Sequence, residues 1–361
     1  MYNPPLATLD PSELAELKLT VQQVVDDAGY PARVRELEDS SANTDAALWT
    51  LLAQEIGLAG VGLPEEVGGL GGIAEILAVS EALGASLAPV PFIASTVLTG
   101  QILANAGDGA VSYLERIAGG EVGASAITND KGSPDLGGIA ITSDGATVTG
   151  TARFVAAGQV AAFFVVAAHS ASGIDVYAVE AADAQVQALN PLDFSGPIAT
   201  VSFNRSPAVL LVTDATDAIA AGVNVALLAI GADQLGGAQH CFDMTLEYIK
   251  VRRQFNREIG SFQAVKHRMA DALMLVEMAR SGLERATWET TENPSADASV
   301  VKAWGSDAYI SIAAETVQLH GGIGFTWEHD AHLYFRRARY DAALLGDATF
   351  HRERIAANLQ W

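Results

Sequence analysis

The side chains best suited to chemistry lie between Val317 and Asp347. This stretch holds His320, His329 and His332 with Asp330, a Gly321-Gly322-x-Gly324 turn, and a lone acid, Asp347, directly after Gly346. Glycines reach left-handed backbone and let another group come close to the main chain. Imidazoles beside a carboxylate are metal-ligand types, but their spacing matches no zinc template, so no metal is expected. Asp347 has two roles open to it. It can cap the helix that begins at Ala348-Thr349, or it can act as a carboxylate that takes up a proton. Taken alone, the turn says no more than two helices packed tightly together. Upstream, Arg252-Arg253-Gln254-Phe255-Asn256-Arg257-Glu258-Ile259-Gly260-Ser261-Phe262-Gln263 forms a second dense stretch.

These residues need elements to hold them. An Ala-rich, apolar-periodic helix is expected from about Ser299 to Leu319, and a helical run resumes through Leu333, Phe335 and Arg336 to Leu345. Leu227, Leu235, Phe242, Leu246 and Ile249 mark a long helix to about Val251. Phe262, Val265, Met269, Leu273 and Val276 mark the next. Asn293-Pro294 turns into the third. Four helices with short connections imply a four-helix bundle over 214–361.

Over 121–213 the pattern is β. Short strands are expected around Ile139–Thr142, Thr147–Gly150, Phe163–Val166, Asp175–Val179 and Ala199–Phe203, with a hairpin at Asp144-Gly145. Such spacing suggests a small barrel or sandwich. Residues 1–120 read as helical. Asp10 caps the first helix, Pro11 takes its first position, and Glu13 completes a capping box. A later helix runs from Ile73 to Leu83 and closes at Gly84. Gly69-x-Gly71 is no dinucleotide fingerprint, because no strand precedes it. The class is α+β multidomain.

Composition narrows the function. Half of the 361 residues are apolar and 18% are charged, a globular composition with large cores. Acids outnumber bases 43 to 21, for a net charge of −22. That excludes nucleic-acid binding by a basic face, disfavours anionic membranes, and requires any anionic ligand to be met by locally gathered arginines. The single cysteine, Cys241, leaves no intramolecular disulfide and fits a reducing cytoplasm, the expected location. No signal peptide is expected, and the apolar run near 218–232 is interrupted by Asn224 and too short to span a bilayer.

Taken together, the motifs resemble the acyl-CoA dehydrogenase family across the whole chain. An Arg-x-x-Phe-Gly…Phe-Gln segment is matched at Arg252, Phe255, Phe262 and Gln263, with Asn256 in place of the glycine. A Gln-x-x-Gly-Gly-x-Gly segment is matched at Gln318, Gly321, Gly322 and Gly324. Pro64-Glu65-Glu66-x-Gly68-Gly69-x-Gly71 with Ser80-Glu81-Ala82-Leu83-Gly84 is similar to the N-terminal helical domain of that family.

The resemblance implies FAD held at a subunit interface by the first two segments. It implies a middle domain that covers one side of the flavin through Thr128, Ser133 and Phe154. Phe154 stands in a segment that is usually Trp-Ile-Thr, and Ala156 in that segment lacks the expected hydroxyl. It also implies α-proton abstraction from an acyl-CoA thioester, fatty or sterol side-chain, with β-hydride transfer to flavin. Electrons would pass to an electron-transfer flavoprotein or to oxygen, in a homo- or heterotetramer. The family's base is a Glu in a Tyr-Glu-Gly-Thr segment. Here the region reads Leu344-Leu345-Gly346-Asp347-Ala348-Thr349, so Asp347 is the nearest acid and Thr349 matches the Thr. Other relatives carry the base one helix earlier, a place that falls near Ala226-Leu227 here and holds no acid; of the acids on that helix, Asp233, Asp243 and Glu247, Glu247 is a weaker candidate. An alternative is an FAD-sharing or non-catalytic subunit of a heterotetramer.

Overall fold

The computed structural model describes residues 2–38, 40, 42–171, 173–287 and 293–358. Helices come first: α1 (Pro11–Asp27), α2 (Ala46–Thr50), α3 (Ile73–Ala85), α4 (Gly100–Ala104) and α5 (Val111–Ala118). The capping box at α1 forms as expected. Asp10 accepts from the backbone of Ser12 and Glu13, and Glu13 returns the bond to Asp10 N at 2.9 Å. Glu75 fastens the N-terminal segment to α3 by accepting from Thr8 N, Leu9 N and Gly72 N. Burial opposes its ionisation, but these donors outweigh burial and hold its carboxyl below the usual range.

One mixed sheet follows: β1 (Gly123–Ala126), β2 (Thr142–Ser143), β3 (Thr147–Ala156), β4 (Phe163–His169), β5 (Ile174–Glu180), β6 (Gln185–Ala188), β7 (Ile198–Pro207) and β8 (Val209–Val212). The order is β6-β7-β3-β2-β4-β5-β8, with β1 pairing parallel to β4. This corrects the barrel half of the barrel-or-sandwich expectation. The strands form a single open sheet, because β6 and β8 are edges that do not pair. Strand β4 is the continuous apolar run of Phe163–Val166, buried along both faces as a sheet centre must be. Ile139–Thr142 contributes only its last residue to a strand.

The C-terminal part consists of α6 (Thr216–Val251), α7 (Gln263–Ala286), α8 (Pro294–His320), α9 (Ala331–Ala343) and α10 (Ala348–Asn358). A two-stranded hairpin, β9 (Arg253–Gln254) with β10 (Arg257–Glu258), joins α6 to α7. Asn293 caps α8 by accepting from Ala296 N at 3.0 Å, with Pro294 in the first turn. The apolar run near 218–232 is longer than its sequence suggests. Helix α6 has 36 residues and meets the length and hydropathy of a membrane span, but 78% of that apolar window is buried in the fold, so it is a core helix.

Gly84 does not close α3, which runs on to Ala85. A Cβ on Gly84 would lie 2.2 Å from Asp233 O, and one on Gly236 would lie 2.0 Å from Glu81 O. The two glycines let α3 and α6 touch backbone to backbone. Cys241 fills the core of α6, where burial pushes its thiol up to about 12.

Candidate active site

The ends of α6 and α8 meet. Tyr248 stacks on His320 with centroids 4.3 Å apart, and its hydroxyl lies 3.4 Å from His320 O. This brings the Arg252 segment next to the Gly321-Gly322 turn. Arg252, Gln263, Gln318, Gly321 and Gly322 are all exposed, and Phe255 is 86% exposed. Phe255 and Asn256 both take positive φ at the hairpin tip, 52° and 61°, where Asn tolerates the left-handed region better than the aromatic does. Phe255 meets Phe262 edge-on at 6.1 Å, and Arg257 lies 3.8 Å over the Phe262 ring. A Cβ added at Gly321 or Gly322 would meet no atom within 4 Å, so the backbone there is open to approach. In a chain of net charge −22, Lys250, Arg252, Arg253 and Arg257 gather at this one corner.

A second group forms on the sheet. Thr128 Oγ1 donates to Arg153 O at 2.8 Å, and both Thr128 and Ser133 are buried. Asn129 organises that loop by accepting from Lys131 N and Ser133 N. A register break in β3 between Ala152 and Val155 places Phe154 at φ 58°, an uncommon conformation for an aromatic residue. Phe154 lines a cavity of about 160 Å³ with Lys131, Gly132, Tyr340, Leu344 and Leu345.

The third group is the turn after α9. The turn before α10 reads Leu344-Leu345-Gly346-Asp347. Leu345 is 5% exposed at φ 54°. The turn is pinned by the buried Lys302 Nζ, which donates to Ala342 O and Gly346 O at 3.1 and 3.0 Å, and by His351 Nε2 at 3.0 Å from Leu345 O. Asp347 lies on the surface and accepts from Phe350 N at 2.9 Å, which makes it the cap of α10; Thr349 is exposed in the first turn. Glu247 is 73% exposed and pairs with Lys250 at 2.6 Å. The structure therefore gives both carboxylates surface roles. His320 and His329 lie with ring centroids 4.4 Å apart and His332 meets Trp327 edge-on at 5.0 Å, yet no metal-ligand group of three or more exists among the described residues.

Sequence reading missed a buried ionic network. Arg337 Nε donates to Asp193 Oδ2 at 2.6 Å, its Nη1 lies 3.3 Å from Asp233 Oδ1, and its Nη2 donates to Ser195 Oγ at 2.7 Å. Burial alone would lower the Arg337 pKa, but the charges of Asp193, Asp233 and Asp341 outweigh it and raise it further. Burial raises Asp233 and holds Asp341 well above the carboxylate range, with the Asp233 charge next in importance for Asp341. Asp233, Arg337 and Asp341 line a small cavity of about 60 Å³ with Phe92, Ile230 and Leu344. Tyr340 and Leu344 wall both this cavity and the one beside Phe154. Helical periodicity hides such residues, since charged side chains normally mark a solvated face. The only signal was four charges, Arg336, Arg337, Arg339 and Asp341, within one helical run.

A larger cavity of about 740 Å³ lies under the N-terminal segment, between Gln101 and Asn224. None of the candidate site residues lines it.

The profile of the acyl-CoA dehydrogenase C-terminal domain matches residues 216–360, and that of the N-terminal domain matches 11–121. IpdE2 of Mycobacterium tuberculosis, described as an acyl-CoA dehydrogenase, is 33% identical over 93% of this chain and 93% of its own length. The chain belongs to the acyl-CoA dehydrogenase family. Acyl-CoA dehydrogenation, an oxidoreductase activity, is what that family does. Among solved structures, the ChsE4-ChsE5 complex from Mycobacterium tuberculosis superposes with a TM-score of 0.85 at 30% identity, covering 98% of each chain. The Tcur3481-Tcur3483 steroid ACAD superposes with a TM-score of 0.87 at 28% identity, covering 97% of this chain and 98% of that one.

Proposed function

We propose that this chain is a subunit of an FAD-dependent enzyme that introduces an α,β double bond into an acyl-CoA thioester. Flavin chemistry fits the residues present. The single observation that carries this reading is the uncovered corner at Arg252, Phe255, Gln318, Gly321 and Gly322. Among the described residues nothing covers its aromatic tip or its open glycine backbone, as expected of half a site completed by another subunit. Arg252 would hold the pyrophosphate, since guanidinium suits phosphate. Phe255, Phe262 and Gln263 would flank it, and Gln318 with the glycines would meet the adenosine half. Thr128, Ser133 and Phe154 would face the isoalloxazine ring, with Thr349 near the turn. When bound, the flavin accepts a hydride from the acyl β-carbon. The chain's own residues hold the cofactor, exclude water with Leu344 and Leu345, and fix the turn through Lys302.

A heteromer is favoured over a homomer by Leu345: with Gly346 set on the glycine of the family's Tyr-Glu-Gly-Thr segment, a buried leucine, not an acid, falls at the place of the base. The ChsE4-ChsE5 complex and the Tcur3481-Tcur3483 steroid ACAD, each named for two different chains, support this. A sterol side-chain or fatty acyl-CoA is the corresponding substrate class, and an electron-transfer flavoprotein the corresponding acceptor. To test this, the chain is purified alone and with the products of neighbouring genes, and its visible spectrum is recorded. Flavin absorbance that bleaches on adding acyl-CoA supports the proposal. A protein that holds no flavin in any assembly refutes it.

A further inference from the structure

Helix α6 has a cavity on each side. Ile230 and Asp233 line the one of about 60 Å³ beside Arg337, whereas Asp217, Ala221, Asn224 and Leu228 line the one of about 740 Å³. Leu228 and Ile230 are two positions apart, about 200° around a helix, so α6 itself separates the two. The larger cavity is also remote from the flavin corner. Asn224 and Arg252 are separated by about 42 Å of helix at 1.5 Å per residue.

Its walls are built. Ala220 and Ala221 clear the floor. The roof is the N-terminal segment, strapped at both ends. The Tyr2 hydroxyl donates to Gly62 O at 3.2 Å, while Ile73 N and Ala74 N donate to Pro5 O and Leu6 O at 2.9 and 2.8 Å. Gln101 Nε2 donates to the same Gly62 O at 2.6 Å, which ties one wall to the roof. Interiors keep few gaps larger than a water molecule, and a cavity of this size between strapped walls has the dimensions of a ligand pocket.

The lining states what fits. Leu6, Ile73, Val225 and Leu228 give it an apolar surface. The amides of Gln101, Asn105 and Asn224 are its polar points. Asn105 Nδ2 donates to Gln101 O at 2.9 Å, but its buried Oδ1 has no donor. Asn224 Oδ1 is already taken by Arg354 Nη2 and Ser295 Oγ. Among the described residues the lining carries one charge, Asp217, and no cation. A carboxylate or phosphate would meet no counter-charge there and an acid at the rim.

We propose that this cavity is a second ligand site, which takes an uncharged, largely apolar small molecule whose hydroxyl or N–H group donates to Asn105 Oδ1. Apolar walls with a few placed polar groups are the usual make-up of such pockets. A ligand donor satisfies an acceptor that the fold leaves unpaired. No bond is made or broken, and the site fills independently of the flavin corner.

The test titrates the full chain, in the assembly in which it is isolated, by calorimetry at pH 8. The probes are 1-decanol, decanoate and 1-methoxydecane. One equivalent of 1-decanol is expected to bind per chain. Decanoate should bind at least about 10-fold more weakly, because its charge would be buried without a partner. 1-Methoxydecane has no donor and should bind about 3- to 10-fold more weakly than 1-decanol, a difference that disappears in Asn105→Leu. Ala221→Phe puts a ring into the cavity and should abolish the binding. Hydrogen exchange locates the ligand independently of any variant: amides of residues 6–9 and 73–76 should slow on adding 1-decanol. Absence of 1-decanol binding, or binding that leaves those amides unprotected and survives Ala221→Phe, overturns the site. Decanoate bound as tightly as 1-decanol overturns the ligand class. Each of these results leaves the flavin reading standing, since no probe or variant touches Arg252 or Gln318.

Discussion

The Lys302 ammonium donates to Gly346 O at 3.0 Å from a position with no solvent exposure. Burial lowers its pKa to about 8, and the charges of Asp341, Asp347 and Asp307 only partly offset that. The sign of the linkage is fixed. Between about pH 8 and the ordinary lysine value the unfolded chain holds a proton that the folded chain has released, so stability rises with pH across that window. The gain is at most about 3 kcal/mol. Lys302→Met should remove this slope while leaving two turn carbonyls unpaired, at about 1–3 kcal/mol each. Urea unfolding of both proteins between pH 7 and 10 checks it: the wild-type-minus-variant difference must grow with pH.

His351 gives the opposite limb. Burial, then the Lys302 charge, lowers it to about 3, and burial, then Arg336, lowers His332 to about 4. Both are neutral in the fold and protonate in the unfolded chain near the ordinary histidine value. Their stabilisation is therefore complete above about pH 6.5 and is lost as pH falls toward 3–4. For His351, which has no solvent exposure, the loss is up to about 1.4 kcal/mol per pH unit. Thermal melts at pH 7, 6, 5 and 4 should fall progressively for wild type and less steeply for His351→Leu.

How much of this was legible follows from which forces leave a local trace. The α1 capping box and the Asn293-Pro294 start of α8 were readable because capping is local chemistry between neighbours in sequence. Phe163–Val166 was readable because a strand buried on both faces must be continuously apolar. Strands β1 and β6 were missed: Gly123–Ala126 is small and Gln185–Ala188 is exposed, so neither carries an alternation signal. Gly84 was misread as a helix stop because its reason, the Asp233 backbone, lies about 150 positions away. The Arg337 network escaped for the same reason. Its partners come from the sheet loop, α6 and α9, and only the fold brings them together.

Arg337 is the residue whose loss the fold should tolerate least. It joins the 193–195 loop of the sheet to α6 and α9 through Asp193, Ser195 and Asp233. Arg337→Met leaves three carboxyls buried without a cation, which costs about 3–5 kcal/mol. Adding Asp193→Asn to Arg337→Met should restore part of that, because an amide needs no counter-charge. Urea midpoints of the single and double variants decide it: a double variant no more stable than Arg337→Met would mean that the lost packing, not the stranded charge, carries the cost.

The exposed corner predicts a separation of stability from cofactor binding. Arg252 and Phe255 touch little of their own chain, so Arg252→Gln and Phe255→Ala should shift the unfolding free energy of the isolated chain by less than about 0.5 kcal/mol. If the proposed function holds, in the assembled enzyme the same changes would remove a charge-assisted bond to phosphate or an aromatic contact. A charge-assisted bond of about 1.5–3 kcal/mol corresponds to roughly 10- to 100-fold weaker flavin retention for Arg252→Gln. Flavin fluorescence released on dilution measures this. Full retention in both variants would place the nucleotide somewhere other than the junction of α6 and α8.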